Sequence, residues 1–107
     1  MTEVLSCNYS NTELCNKIFK IRALVFVDEQ KVERAEEFDA HEESSLHYLG
    51  VIDGVAAGTA RWRITKEGIK LERFAVLQEF RKKGLAAAVL KKVLDDVIPL
   101  GTKIYLN

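Results

Sequence analysis

A strand that leads through a basic, glycine-containing turn into an amphipathic helix dominates the middle of this sequence. The segment LERFAVLQEFRKKGLAAAVLKKVL, residues 71–94, has this order, with the turn at residues 81–86. Backbone N–H groups in the first turn of a helix lack intrahelical partners, and the helix dipole adds partial positive charge there. Gly84 lets an anion approach the backbone, and small Ala86 keeps the next turn open. The segment predicts a diphosphate site; the alternative is a solvated basic helix start.

Length and charge place the chain among ordinary globular domains. It has 107 residues, 48% apolar and 30% charged, with 16 basic and 16 acidic groups, so one domain spanning residues 1–107 is expected. A net charge of zero argues against general nucleic-acid binding, which needs a dominant basic face. No apolar run approaches the ~18 residues that a membrane span requires, and the N-terminal MTEVLSCNYS lacks a leader pattern. These features predict a cytoplasmic protein with no membrane partner.

Two cysteines give no sign of a disulfide framework or a metal site. Cys7 and Cys15 are too few and too irregularly placed for either, so reduced thiols are the expectation. No metal-ligand spacing occurs elsewhere in the sequence. Glycine-rich dinucleotide fingerprints and Lys-Ser/Thr phosphate loops are also missing, which disfavours nicotinamide and ATP chemistry.

The first half of the chain predicts a strand and two helices. Weak alternation over residues 3–9 indicates a first strand, and Ser10-Asn11-Thr12-Glu13 has the form of a capping box that begins a helix. Apolar residues recur along that helix at spacings of three and four, which predicts a core-facing stripe; they are Leu14, Ile18, Ile21 and Val25. Residues 32–38 fit a short second helix, and residues 39–45 fit a polar loop.

The second half predicts two hairpins, a helix and a last strand. Asp53-Gly54 supplies the positive φ angles of a tight turn between strands at residues 46–52 and 55–65. The chain then returns as a fourth strand over residues 69–77, and a helix after Gly84 ends near Pro99 and Gly101. A fifth strand at residues 102–106 follows this helical crossover and is expected to lie parallel to the fourth. The fold class is α/β (α+β), with a mixed, mostly antiparallel five-stranded sheet.

The segment FAVLQEFRKKGLA resembles the coenzyme A-binding motif of the GNAT acetyltransferase superfamily. That motif is a hydrophobic strand followed by Arg/Gln-x-x-Gly-x-Gly/Ala, which Arg81, Gly84 and Ala86 match here. The departures are mild: Gln78 stands where proline is frequent, and Ala86 where glycine is more frequent. The resemblance implies the GNAT fold, with two or three helices flanking the sheet, and acetyl-CoA as the acyl donor.

By this resemblance, strand four and the following turn hold the cofactor. The Val76 N–H is the implied donor to the thioester carbonyl, and the turn is the implied diphosphate site. The implied cofactor-binding residues are Phe74, Ala75, Val76, Arg81, Lys82, Lys83, Gly84, Leu85, Ala86 and Asn107.

The phrase VFVDEQ, followed by an acidic segment and a histidine, resembles the ElaA- and YjcF-like branch of small bacterial acetyltransferases. In the superfamily this region covers the pocket of the acceptor, a small-molecule or peptide amine. The implied acceptor-site residues are Glu29, Asp39, His41 and His47. The alternative for each residue is that it has no contact with substrate, because a charged loop is usually solvated and a lone histidine is usually a surface or hydrogen-bonded residue.

Glu72 lies on the fourth strand, two residues before the implied pantetheine contacts. A carboxylate in a half-buried cleft can have a raised proton affinity, so Glu72 is a candidate general base. The alternative is a cross-strand partner for Arg61, Arg63 or Arg73.

GNAT domains normally continue beyond strand five into a fourth helix and two closing strands, and this sequence ends at Asn107. The chain is therefore a fragment, a natural truncation, or a protomer completed by another chain. A free sheet edge favours self-association or poor stability of an isolated monomer. Three functions remain open: an acetyl-CoA-dependent N-acetyltransferase, a non-catalytic CoA-binding sensor or assembly subunit, and an interaction module.

Overall fold

The computed structural model describes residues 1–106, which contain a five-stranded mixed sheet in the order β1-β2-β3-β4-β5. Strands β1 to β4 are antiparallel neighbours, and β5 lies parallel to β4. The strand bounds are β1 Thr2–Cys7, β2 Leu46–Ile52, β3 Val55–Thr65, β4 Gly68–Val76 and β5 Ile104–Leu106. The two predicted hairpins and the parallel last pair are therefore confirmed. Asn107 lies outside the described residues.

Three α-helices accompany the sheet within residues 1–106: α1 Thr12–Arg22, α2 Arg34–Glu37 and α3 Leu85–Val97. Helix α1 continues as a π-helical segment, Ala23–Glu29. The predicted capping box is wrong in detail. The side-chain oxygen of Asn11, rather than that of Ser10, accepts the hydrogen bond from the Leu14 amide at 3.1 Å, because the helix begins one residue later than the box requires. No helix of the described residues is both long and apolar enough to cross a membrane.

The sheet is covered on both faces, which gives two apolar cores. Helix α3 packs on one face, and its row Leu85, Val89 and Val93 is almost completely buried, as its spacing predicts. Helix α1 packs on the other face with Ile18 and Ile21. Because successive side chains of a strand point to opposite faces, each central strand contributes apolar residues to both cores.

Two features of the sheet set the position of the loop between β4 and α3. Gly50 and Gly58 lie opposite each other on β2 and β3, and Leu85 packs directly over them. A Cβ at Gly58 would be 3.0 Å from the Leu85 side chain, so this close approach of helix and sheet requires a glycine. Gly50 and Gly58 thus form a notch in the sheet, and Leu85, the first residue of α3, packs into it.

Strand β4 contains a bulge next to this notch. Thr59 pairs with Ala75 and Arg61 with Glu72, so one residue of β3 faces two of β4. Arg73 sits in the bulge with a φ of 61°, a left-handed value that is uncommon for a residue other than glycine. The bulge redirects the last residues of β4, where the cofactor contacts are expected.

Candidate functional site

The turn between β4 and α3 has the open helix start that an anion needs. Gly84 has a φ of 82°, and a Cβ placed on it would meet nothing within 4 Å. The first helical hydrogen bond runs from the Ala88 amide to the Gly84 carbonyl at 3.1 Å. Within residues 1–106, the amides of Leu85, Ala86 and Ala87 therefore have no backbone acceptor, and no side chain caps the helix. Three amides point into accessible space beside a glycine.

Most of the predicted cofactor residues line two adjoining clefts. The first is apolar, has a volume of about 280 Å³, and is lined by Thr59, Phe74, Ala75, Val76, Arg81, Ala86 and Val89. The second has a volume of about 300 Å³ and is lined by Val76, Phe80, Arg81, Lys82, Gly84, Leu85, Ala86 and Ala87. Val76, Arg81 and Ala86 are common to both, so the clefts follow the end of β4 to the start of α3. Lys83 is exposed beside them, and Asn107 falls outside the described residues.

The backbone N–H and C=O of Val76 point away from β3, on the side of the clefts that Val76 lines. The Leu77 amide donates to the Ala57 carbonyl at 2.9 Å, whereas Val76 is paired across from Gly58. Because alternate residues of an antiparallel strand bond to the same neighbour, the N–H and C=O of Val76 point away from β3. Strand β5 pairs with β4 at Ile69 to Leu71, which is well before Val76. The Val76 N–H is thus directed to the side on which a ligand could accept a hydrogen bond from it.

Sequence reasoning missed Thr59, which supports the bulge from within the first cleft. Its hydroxyl donates to the carbonyl of Arg73 at 3.0 Å, and its side chain is almost fully buried. A threonine in a strand gives no sequence signal for this role. The available signal was the neighbouring Gly58, because a glycine inside a strand often marks a bulge or a close approach.

A third cavity shares the lining residue Phe74 with the first cleft. Its volume is about 470 Å³, and it is lined by Phe26, Gln30, Val32, Glu36, Glu37, Arg73 and Phe74. Its walls come from the π-helical segment, the α2 region and the β4 bulge. None of the four predicted acceptor residues lines it, and Phe74 is the one lining residue that it shares with the first cleft.

The four predicted acceptor residues are scattered instead. Glu29 forms an ion pair with Arg81 of the β4–α3 loop, with Arg81 Nη1 2.8 Å from Glu29 Oε2. Asp39 accepts hydrogen bonds from Arg61 and is about one quarter exposed. His41 lies on the exposed loop, where its amide donates to the Asp39 carboxylate at 2.9 Å.

The prediction that His47 contacts substrate is wrong. Its side chain is 0% exposed, packs edge-on against Phe19, and has Nε2 2.9 Å from the Glu42 carbonyl oxygen. Burial lowers the pKa of His47 below its usual value, so the imidazole is a neutral core group. The ordinary alternative, a hydrogen-bonded structural histidine, is the one the structure supports.

The raised proton affinity expected of Glu72 is also wrong. Burial alone would raise its pKa, but the charge and hydrogen bond of Arg61, with hydrogen bonds from Arg63 and Lys70, lower it. Arg61 Nε donates to the Glu72 carboxylate at 2.6 Å and Arg63 Nε at 3.0 Å. A carboxylate held ionised by three cations is a poor proton acceptor near neutral pH. Glu72 is therefore the cross-strand ion-pair partner that the alternative described.

Glu72 belongs to a buried charge network that joins α1, the α2 region, β3 and β4. Two arginines at its centre, Arg22 and Arg61, are 0% and 1% exposed. Arg22 bonds to Glu37 and Glu42, and Arg61 bonds to Asp39, Glu42 and Glu72. The network holds α2 and the following loop, residues 39–45, in contact with the β4 bulge. Arg73 in the bulge also pairs with Glu37 and Asp39.

The network predicts acid lability in a defined pH range. Burial alone would raise the pKa of Asp39, but hydrogen bonds from Arg61 and the His41 amide and the charges of Arg61 and Arg73 lower it to about 2, from 3.8. A lowered folded-state pKa gives stability that is present above about pH 4 and is lost as the pH falls towards 2. The urea midpoint should therefore fall between pH 4 and 2, and Asp39→Asn should flatten that dependence. Glu43→Gln is the control, since exposed Glu43 has no ion pair within residues 1–106. If the urea midpoint of Asp39→Asn depended on pH as strongly as that of the wild type, the prediction would be contradicted.

No group of three or more His, Cys, Asp or Glu side chains in residues 1–106 is arranged to hold a metal ion. Cys7 and Cys15 are both buried free thiols. Burial and the neighbouring Cys15 raise the pKa of Cys7 to about 12, which favours the unreactive thiol.

The sequence pattern of the acetyltransferase (GNAT) family matches residues 13–107. The chain belongs to the GNAT acetyltransferase family. Among its relatives, YyaT of Bacillus subtilis strain 168 is 37% identical over 93 residues, which cover 84% of this chain and 63% of YyaT. The uncharacterised N-acetyltransferase YjcF of the same organism is 39% identical over 82 residues, covering 76% of this chain and 58% of YjcF. The chain thus spans about three fifths of the length of these relatives.

Solved structures agree with the GNAT fold. The crystal structure of Escherichia coli ElaA superposes with a TM-score of 0.87 at 20% identity, covering 99% of this chain and 77% of ElaA. A predicted acetyltransferase of Clostridium acetobutylicum, crystallised with acetyl-CoA, gives a TM-score of 0.70 at 15% identity over 100% of this chain and 80% of its own. The expected fold, a mostly antiparallel five-stranded sheet with flanking helices, is confirmed.

Proposed function

We propose that this GNAT domain is an acetyl-CoA-dependent N-acetyltransferase that acetylates a primary amine of a small molecule or peptide. One observation carries the proposal: three unpartnered amides at the start of α3 lie beside Gly84 and next to an apolar cleft that Val76 and Phe74 line. A diphosphate fits the amides, and an extended pantetheine arm fits an apolar cleft of about 280 Å³. The residues present therefore fit coenzyme A.

In acyl transfer to an amine, the main role of this chain would be to position the thioester and the amine. Acetyl-CoA supplies the activated acetyl group as a thioester. The amides of residues 85–87, with Lys82 and Lys83, would hold the diphosphate, and the Val76 N–H would donate to the thioester carbonyl. The amine would enter from the cavity of about 470 Å³ that shares Phe74 with the cofactor cleft. Three apolar residues of its mixed lining, Phe26, Val32 and Phe74, would limit the access of water to the reacting atoms.

The second candidate is a CoA-binding sensor or assembly subunit without catalysis. The loss of Glu72 as a base favours it, because the ionised, triply paired carboxylate cannot readily remove a proton from the acceptor. The two functions share the cofactor site and differ only in turnover.

Two measurements separate these functions. CoA at about 100 times its Kd should raise the melting temperature in both cases, whereas pantetheine, which lacks the diphosphate, should raise it much less. Free thiol released from acetyl-CoA with a panel of amines should appear for the transferase alone. Stabilisation without thiol release would favour the sensor, and no stabilisation by CoA would contradict both functions.

A further inference from the structure

The side chain of Arg81 is held by the protein at three points. Its Nε donates to the carbonyl oxygen of Val76 at 2.9 Å. Its two terminal nitrogens donate to the two carboxylate oxygens of Glu29, each at 2.8 Å. Because the guanidinium group is planar and its donors are fixed relative to one another, these bonds define its orientation.

These three contacts join separate parts of the site. Glu29 is the last residue of the π-helical segment that continues α1, Val76 is the last residue of β4, and Arg81 lies in the loop that enters α3. Glu29 and Arg81 are 52 residues apart in sequence. The ion pair therefore links the π-helical segment to the β4–α3 loop. The bond from Arg81 Nε to the Val76 carbonyl oxygen links the same loop to the end of β4.

The remaining basic residues of the loop are differently placed. Lys82 and Lys83 are exposed and form no ion pair within residues 1–106. Their charges are available to a diphosphate, whereas the charge of Arg81 is already matched by Glu29. Moving Arg81 onto a phosphate would leave the Glu29 carboxylate and the Val76 carbonyl without this donor.

We propose that Arg81 and Glu29 form a positioning pair: Glu29 orients Arg81, and Arg81 fixes the backbone of Val76 through its carbonyl oxygen. The N–H and C=O of one strand residue point to the same side, so a fixed carbonyl also fixes the Val76 N–H that faces the cleft. Arg81 keeps this contact when coenzyme A is bound, and the amides and lysines hold the diphosphate. This inference rests on the proposed function for its catalytic consequence.

Nuclear magnetic resonance tests the pair without any need for turnover. In ¹⁵N-labelled protein, the Arg81 Nε–H should exchange slowly with water in the wild type and faster in Glu29→Gln and Glu29→Asp. Saturating CoA should leave it slow. Asp95→Asn is the matched control, because it removes the carboxylate of an exposed ion pair elsewhere, Lys91–Asp95 at 2.9 Å. Unchanged exchange in both Glu29 variants, or release of the Nε–H by CoA, would overturn the proposal.

Binding and kinetics give an independent readout. Glu29→Gln should lower kcat by about tenfold or more, since a small displacement of a positioning group can slow reaction by about 10²-fold, while the Kd for CoA stays within about twofold. Lys83→Gln should raise the Kd for CoA. Tighter CoA binding by Glu29→Gln would mean that Glu29 competes with phosphate for Arg81, and would refute the positioning role. If calorimetry detects no CoA binding to the wild type, the proposed function fails, and exchange at Arg81 in the free protein still decides the pair.

Discussion

Replacing Gly84 by valine is expected to abolish stabilisation by CoA while the domain still folds. A Cβ at Gly84 meets no protein atom within 4 Å, so the fold can accommodate the new side chain, which adds bulk to the cleft that Gly84 lines together with Leu85, Ala86 and Ala87. Its left-handed backbone, with a φ of 82°, makes the substitution cost about 1–2 kcal/mol of stability. For the wild type, CoA at about 100 times its Kd adds about 2.7 kcal/mol, a shift on the order of 10 °C in melting temperature. Gly84→Val should lose that shift.

Gly101→Val is the matched control for this experiment. Gly101 also follows a left-handed path, with a φ of 70°, and its Cβ would also meet nothing within 4 Å. It lies after α3 rather than before it, away from the cofactor clefts. The two variants should lose similar stability, and Gly101→Val alone should respond to CoA as the wild type does. A full CoA shift in Gly84→Val would show that the diphosphate does not bind at this helix start.

The fold could be predicted because its signals are local. The stripe of Leu85, Val89 and Val93 marks the buried face of α3 by spacing alone, and Asp53-Gly54 supplies the positive φ angles of its hairpin turn. The loop at Gly84 could be predicted equally well from the sequence, because a helix start next to a glycine is defined by neighbouring residues. These features require no knowledge of distant parts of the chain.

The acceptor side could not be predicted in the same way. Alternation in β2 places His47 on one face of the strand, but it does not reveal that a helix covers that face. Glu72 likewise alternates as a half-exposed residue would, and only the sheet register brings Arg61 and Arg63 to it. The protonation state of a carboxylate depends on such contacts, so the predicted base was wrong where its partners were distant.

The buried arginines show the same limit most clearly. Sequence patterns treat Arg22 as a solvated residue of α1, outside the apolar stripe, yet its side chain is 0% exposed. Its partners Glu37 and Glu42 lie 15 and 20 residues further along the chain. A fully buried charge persists only when it is paired and hydrogen-bonded. Glu37 lies in the predicted second helix, and Glu42 lies in the segment that the sequence predicts to be a polar loop.

Arg22→Met is accordingly expected to destabilise the domain by about 3–5 kcal/mol, because it leaves two buried carboxylates without their main partner. Arg22 Nε bonds to Glu37 at 2.7 Å, and Nη1 and Nη2 bond to Glu42 at 2.9 and 2.8 Å. Domains of this kind are stable by only about 5–15 kcal/mol, so the loss is a large fraction of the total. Urea unfolding of the two proteins measures it directly.

Arg34→Met is the control that isolates the buried charge. The guanidinium groups of Arg22 and Arg34 both lie 5.0 Å from the centre of the Phe38 ring, so both variants lose this cation–π contact. Arg22→Met also loses a contact with the Phe19 ring, whose centre is 5.4 Å away. Arg34 is exposed and has no ion pair within residues 1–106, and its replacement should cost less than about 1 kcal/mol. Adding Glu37→Gln and Glu42→Gln to Arg22→Met should recover part of the loss by removing the unpaired charges. Equal effects of the two methionine variants would show that packing on Phe38, rather than ion pairing, holds the α2 region against the β4 bulge.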